Sequence, residues 1–132
     1  WGCGALSAFW RLAGADPWHV NGLQNKFSEP DDSVIAAAKS LLEPMFEDKP
    51  CIAMPVFSSG QSAVQPPETY ARLGRADCIY AAGGGIMAHP DGPPAGVQSL
   101  RDAWDAAIAG IPAATYAQNH PALARALQKA SA

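Results

Sequence analysis

The chain has 132 residues, 48% of them hydrophobic and only 16% charged, with a formal net charge of -3. That is enough for one domain of ordinary size, and the shortage of charge implies a large buried fraction or a surface that other protein covers. The acidic balance, with no basic run, argues against a nucleic-acid partner; no apolar run nears the roughly 20 residues of a membrane span, and no signal-peptide pattern is present. The three cysteines, Cys3, Cys51 and Cys78, are widely spaced. An odd count without paired spacing predicts buried free thiols in a reducing, cytoplasmic setting. The first residue is Trp1, so sequence upstream is expected to have been removed or left out.

In chain order, Leu6, Phe9, Trp10 and Leu12 recur at helical spacing within 3–12, and Gly14 is a stop. Trp18 to Asn21 reads as a short strand, and Gly22 to Ser28 as a polar, flexible loop carrying Lys26. Ser28 is expected to cap a helix in which Asp31 is the acidic partner and Val34, Ile35, Ala38, Leu41 and Leu42 form the apolar face. Glu29, Asp31 and Asp32 read as a helix start and solvated face. Cys51 to Phe57 is an apolar run expected as a strand buried on both faces, weakened by Pro55. Ser58 to Gln61 is a polar tip. Pro66 opens a short helix that Gly74 ends. Cys78 to Ala82 reads as a buried strand, followed by Gly83, Gly84 and Gly85. Pro93 and Pro94 open the longest helix, to about Ala109, with Val97, Leu100, Trp104, Ala107 and Ile108 on one face. Ala113 to Gln118 and Pro121 to Ala130 are two further helical pieces.

Strands alternating with helices predict parallel strands joined by right-handed crossovers. The informative polar residues fall after the strands: His19 and Lys26, then Ser58, Ser59 and Gly60, then the triple glycine. In an α/β barrel that face carries the active site, and phosphate sites use the loops after the last two strands. A strand, glycine turn and helix start would aim backbone N–H groups at an anion; a tight turn with no ligand is the alternative. A complete barrel takes about 250 residues, so the expectation is the C-terminal part of a (β/α)8 barrel, strands 6–8 with their helices, over 1–110, and a helical tail over 111–132.

Three ordered motifs carry a resemblance. Arg11 to Asp16, then His19 and Lys26, resembles the sixth-strand region of the RuBisCO large subunit. Met54 to Gly60 resembles its seventh-strand serine-glycine tip, and Gly83 to Pro90 its eighth-strand phosphate loop. The chain departs from the family pattern at Val20-Asn21-Gly22, where the family has Thr-Gly-Thr. It departs again at Asn25-Lys26-Phe27-Ser28 in place of Gly-Lys-Leu-Glu, and at Ser59 in place of a glycine. The tail from Ile111 is more similar to the RuBisCO-like proteins (form IV).

The resemblance implies an enzyme that enolises or isomerises a phosphorylated ketose with Mg²⁺, whose ligands lie on a barrel strand outside this sequence. 5-Methylthioribulose 1-phosphate, in methionine salvage, is the leading substrate it suggests. The alternatives are a carboxylase or decarboxylase acting on a related sugar phosphate, and a phosphate-ligand binding protein without catalysis. It further implies phosphate or substrate binding by His19, Ser58, Ser59, Gly60, Gly83, Gly84 and Gly85, and a catalytic role for Lys26 as a point charge closing over the substrate. His89 is expected to be structural, its ring fixing the loop, and Asp91 to end the turn. The assembly implied is a homodimer.

Overall fold

The computed structural model describes residues 3–131; Trp1, Gly2 and Ala132 lie outside it, as does the side chain of Cys3, so the free thiol expected at Cys3 falls outside what is described. The chain divides into two compact units. One runs through Ser59 and takes in Asp77–Ala81; the other comprises Gly60–Ala76 and the segment from Ala82 onward.

The first unit contains α1 (Cys3–Leu12), β1 (Trp18–Asn21), α2 (Asp31–Leu42), β2 (Pro55–Ser58) and β3 (Ile79–Tyr80). The strands form one parallel sheet in the order β1-β2-β3, with His19 opposite Val56, Asn21 opposite Ser58, and Phe57 opposite Tyr80. Pro55 is the first residue of β2, the position a residue without an N–H tolerates in a sheet. The ladder therefore starts there, and the expected strand from Cys51 is shortened; Ile52, ahead of it, is exposed. β3 is likewise only two residues long, and Ile79 is 46% exposed, against the expectation of a buried strand from Cys78.

Val34, Ile35, Ala38 and Leu41 of α2 are buried, as their spacing predicts, with Val20, Val56 and Phe57 of the sheet also in the core. Ser28 is not the cap of α2. It has φ 59, and Pro30 occupies the cap position without a side-chain bond. Arg11 is buried and donates to three carbonyls: Nε to Cys51 at 2.7 Å, Nη1 to Ser40 at 2.6 Å and Nη2 to Glu43 at 2.5 Å. One side chain thus ties α1 to the end of α2 and to the approach to β2.

The second unit contains α3 (Pro66–Leu73), α4 (Gly83–Met87), α5 (Pro93–Ile108), α6 (Ala113–Tyr116), a 3-10 turn (Ala117–Asn119) and α7 (Pro121–Ala130). Pro66 and Pro93 sit in the first turn of their helices, where the missing N–H costs no bond. Gly74 ends α3 with φ 79, and its N–H donates to the Tyr70 carbonyl. α5 is the hub, packed against α3, α4 and α7. Its buried residues are Gly96, Ser99, Leu100, Asp102, Ala103, Ala106 and Ala107, while Val97 and Ile108 are 45% and 52% exposed. The buried face is thus rotated from the one the large apolar residues predict. Small side chains occupy it because the neighbours come close: a Cβ on Gly96 would lie 2.3 Å from the Ile86 carbonyl oxygen of α4.

Candidate functional site

The β1 and β2 ends are joined by hydrogen bonds. The Gly22 N–H donates to the Ser58 carbonyl at 2.7 Å, and the Lys26 N–H to the Ser59 carbonyl at 3.4 Å. The Ser58 hydroxyl donates to the Val20 carbonyl at 3.2 Å, and the Ser59 hydroxyl to Asn21 Oδ1 at 2.8 Å. Both serine protons are therefore committed within the protein, and what the hydroxyls offer outward is lone pairs. Ser59 has φ 68, in the left-handed region that a non-glycine residue enters at a cost.

Lys26 lies on a loop built around Asn25. The Asn25 amide donates to the Gly22 and Glu29 carbonyls at 3.2 and 2.9 Å, and its oxygen accepts the Phe27 and Glu29 N–H groups at 3.0 and 3.2 Å. Asn21 Nδ2 donates to Glu29 Oε2 at 2.6 Å, and Leu23 is fully buried. The polar residues of this loop thus bond one another and its backbone. Lys26 itself is exposed, its ammonium 5.2 Å from the Phe27 ring centroid. Glu29 is half-buried and also accepts from the Ser33 hydroxyl at 2.8 Å, so it is an organiser of this loop and not merely part of a solvated face.

His19 is the second residue of β1, two short of the strand's end, and is exposed. Side chains alternate along a strand, so it shares a face with Asn21. Asn21, Asn25 and Glu29 are the residues here that sequence reasoning missed. The available signal was Asn25 in a polar loop, a residue type whose side chain bonds nearby backbone.

In the second unit the triple glycine opens α4 and is helical. None of Gly83, Gly84 and Gly85 has positive φ, so the left-handed turn is not what calls for glycine there. The positive φ values lie instead at Gly60 (90) and Gly92 (86). Gly85 has a packing reason, since a Cβ there would lie 2.7 Å from the Gln61 carbonyl oxygen and 2.8 Å from Ser62 Cα. Gly83 and Gly84 have none: nothing lies within 4 Å of an added Cβ at either. Ala82 caps α4 without a side-chain bond, and the first N–H groups of any helix lack intrahelical partners.

The turn after α4 is clasped by α7. Asp91 N–H donates to His89 Nδ1 at 3.1 Å, so the proton is on Nε2, which donates to the Ala122 carbonyl at 2.9 Å. Lys129 Nζ donates to the Ala88 carbonyl, and Arg125 pairs with Asp91 at 3.4 Å. His89 is buried and fixes the turn, and Asp91 does more than end it. A mostly apolar cavity of about 200 Å³ is lined by Ser62, Gly85, His89 and Lys129, among others, but not by Gly83 or Gly84.

The structure thus gathers Lys26, Ser58 and Ser59 at the β1–β2 ends of one unit, and Gly60, Gly83, Gly84 and Gly85 in the other. Cys51 and Cys78 are free, and burial first, then Asp77, pushes the Cys78 thiol up to about 11. No group of three or more His, Cys, Asp or Glu among the described residues could hold a metal ion, so the Mg²⁺ implied by the resemblance gains no ligand set from them. No helix among them is long and apolar enough to cross a membrane.

The family model for the ribulose bisphosphate carboxylase large chain, catalytic domain, matches residues 3–129. The chain is 55% identical over 127 residues to the 3-oxo-isoapionate-4-phosphate transcarboxylase/hydrolase of Xanthobacter autotrophicus, covering 96% of this chain and 31% of that protein. It is 48% identical over 124 residues to the 3-oxo-isoapionate-4-phosphate decarboxylase of Rhizobium rhizogenes, covering 93% of this chain and 29% of that one. The crystal structure of a rubisco-like protein from Burkholderia fungorum superposes with a TM-score of 0.92 at 42% identity, over 96% of this chain and 31% of that chain. The chain therefore spans under a third of the length of these relatives. Its parallel strands and their helices are part of an α/β barrel, as the order of elements predicts. The chain belongs to the RuBisCO large-chain family, among its RuBisCO-like proteins.

Proposed function

We propose that the protein to which this chain belongs releases CO2 from a phosphorylated 3-oxo sugar acid, and that this chain supplies the phosphate grip and one cation. The structural observation that carries the reading is the open space at Gly83 and Gly84. Glycine in a helix costs about 0.5–1 kcal/mol relative to alanine, and no packing within the chain offsets that cost at these two positions. Close approach of a ligand to the backbone does. The chemical class follows the relatives' names: two chains 55% and 48% identical to this one act on 3-oxo-isoapionate 4-phosphate. This displaces isomerisation of 5-methylthioribulose 1-phosphate as the leading reading.

The chemistry asks for two things from these residues. Loss of CO2 from a 3-oxo acid breaks the bond between the carboxylate carbon and its neighbour. The electron pair moves into the ketone, giving an enolate that is then protonated on carbon. Binding energy at the phosphate holds that bond in a reactive orientation; the N–H groups of Gly83, Gly84 and Gly85, with Gly60, supply it. Lys26 offers an ammonium for the charge that shifts from the carboxylate to the ketone oxygen. His19, Ser58 and Ser59 are assigned to substrate oxygens, the serines through the lone pairs their bonds to Val20 and Asn21 leave open. No step is assigned to a metal.

The test is full-length protein with Mg²⁺ and 3-oxo-isoapionate 4-phosphate, with CO2 release as the readout. Release is expected, and Gly83→Ala should reduce it through KM. Proton exchange on 5-methylthioribulose 1-phosphate in D2O, with no CO2 from the oxo acid, would establish the isomerase instead. Binding of both without turnover would leave a phosphate-binding protein. A homodimer is part of the proposal and is checked by sedimentation of the full-length protein.

A further inference from the structure

Ser59 poses a question that the proposed chemistry does not answer. A serine at φ 68 holds a conformation that glycine adopts freely, and its side chain is not directed at solvent but at Asn21 Oδ1, 2.8 Å away. Asn21 in turn donates from its other amide atom to Glu29 Oε2 at 2.6 Å, a charge-assisted bond. Glu29 is bonded to Asn25 through both its N–H and its carbonyl. The Ser59 carbonyl accepts the Lys26 N–H itself. An unbroken run of bonds therefore leads from the β2 end, through the β1 end, to the far side of the loop that carries Lys26.

We propose that Ser59, Asn21 and Glu29 form a latch that holds the 22–29 loop, and with it Lys26, in one preset position. In the ligand-free protein the lysine then stands in a defined starting position. Within the latch the three act as positioning residues, through Lys26. This deepens the reading of Lys26 as the cation of the reaction and rests on it only for its catalytic consequence. The physical logic is the usual one for a strained non-glycine residue near a site: the strain persists because the surroundings over-determine it. Here the hydroxyl that glycine lacks is what the latch uses.

The direction of each bond gives a test by polarity reversal. Asn21→Asp keeps the acceptor for Ser59 but loses the donor to Glu29 and sets two carboxylates together. Adding Glu29→Gln restores a donor, now pointing the other way, while its amide oxygen still accepts from Ser33. The experiment is hydrogen–deuterium exchange of the full-length protein without ligand, followed by mass spectrometry of the 22–29 peptide. The native loop should be protected. Asn21→Asp and Ser59→Ala should speed its exchange by about tenfold or more, leaving other peptides unchanged. Glu29→Gln added to Asn21→Asp should return most of the protection. Ser59→Gly, which relieves the backbone while removing the hydroxyl, should loosen the loop even if it raises the thermal midpoint; it serves if the other variants fold poorly.

Exchange at the unprotected rate in the native loop, or no change in the variants, would overturn the latch whatever the substrate proves to be. With an active substrate, Asn21→Asp should lower kcat about tenfold with KM held within twofold, and the double variant should recover. Protection as described in a protein that does not act on the oxo acid would sink the function and leave the latch standing.

Discussion

The β1–β2 ends and the triple-glycine helix are both candidate ligand regions, and they are held by opposite means. At the strand ends, side chains do the fixing: two asparagines, a glutamate and a serine are joined in one hydrogen-bonded run. At α4, the packing of the helix itself depends on side chains that are absent, and only the turn after it is held by side chains. Gly85 lies against the backbone of Gln61 and Ser62, and Gly96 of α5 against Ile86, with α7 clasping the following turn. The first region should fail by truncation and the second by addition of a single methyl group.

The largest effect is expected at Gly96. A Cβ placed 2.3 Å from a carbonyl oxygen forces backbone to move, and Gly96→Ala should cost at least about 3 kcal/mol or abolish soluble expression. Thermal denaturation checks it, and a variant within about 1 kcal/mol of the native protein would refute the close-packing account. Arg11→Met comes next. It strands three carbonyls that now share one guanidinium, at a cost on the order of 3 kcal/mol by urea denaturation. His89→Phe, which leaves Asp91 N–H and the Ala122 carbonyl without their partner, should cost about 1–2 kcal/mol.

Gly83→Ala reverses the sign. With open space and a helical backbone, it should stabilise the chain by about 0.5–1 kcal/mol while weakening inorganic phosphate or substrate binding, read by titration calorimetry. The contrast between positions 83 and 96, one gaining and the other losing stability on the same substitution, is the sharpest form of the comparison.

The smallest effect concerns Cys78. Its thiol is raised from 9.0 to about 11, so the unfolded chain gives up that proton first as pH rises. Stability from this group is complete below about pH 9 and is lost progressively up to about 11. Urea midpoints of native protein and Cys78→Ala, compared at pH 8 and 10.5, should converge at the higher pH.

Most of the element order was legible because proline and glycine punctuate it. Pro66, Gly74 and Pro93 mark boundaries that the structure keeps. What misled was size. In α5 the large apolar residues Val97 and Ile108 point to one face, yet the buried face is mostly glycine, serine and alanine, with Leu100 and Asp102, because helices that approach closely exclude bulk. The triple glycine was legible as a place where backbone matters. Its helical conformation was not, since glycine runs suggest positive φ, and here the demand is for approach and not for an unusual dihedral. At the strand ends, Lys26 and Ser59 stood out as residue types, but the Ser59–Asn21 bond depends on a parallel register that spacing alone does not reveal.

The contact of Gly85 with Gln61 and Ser62 bears on engineering. Two segments more than twenty residues apart in sequence are interlocked at atomic range, with no side chain between them to absorb a mismatch. A foreign loop grafted after Gly60 would meet α4 at the wrong height, and a foreign α4 would meet the old loop the same way. The two are a single interchangeable part, and recombination between related chains should preserve activity when both come from one parent and lose it when they are split.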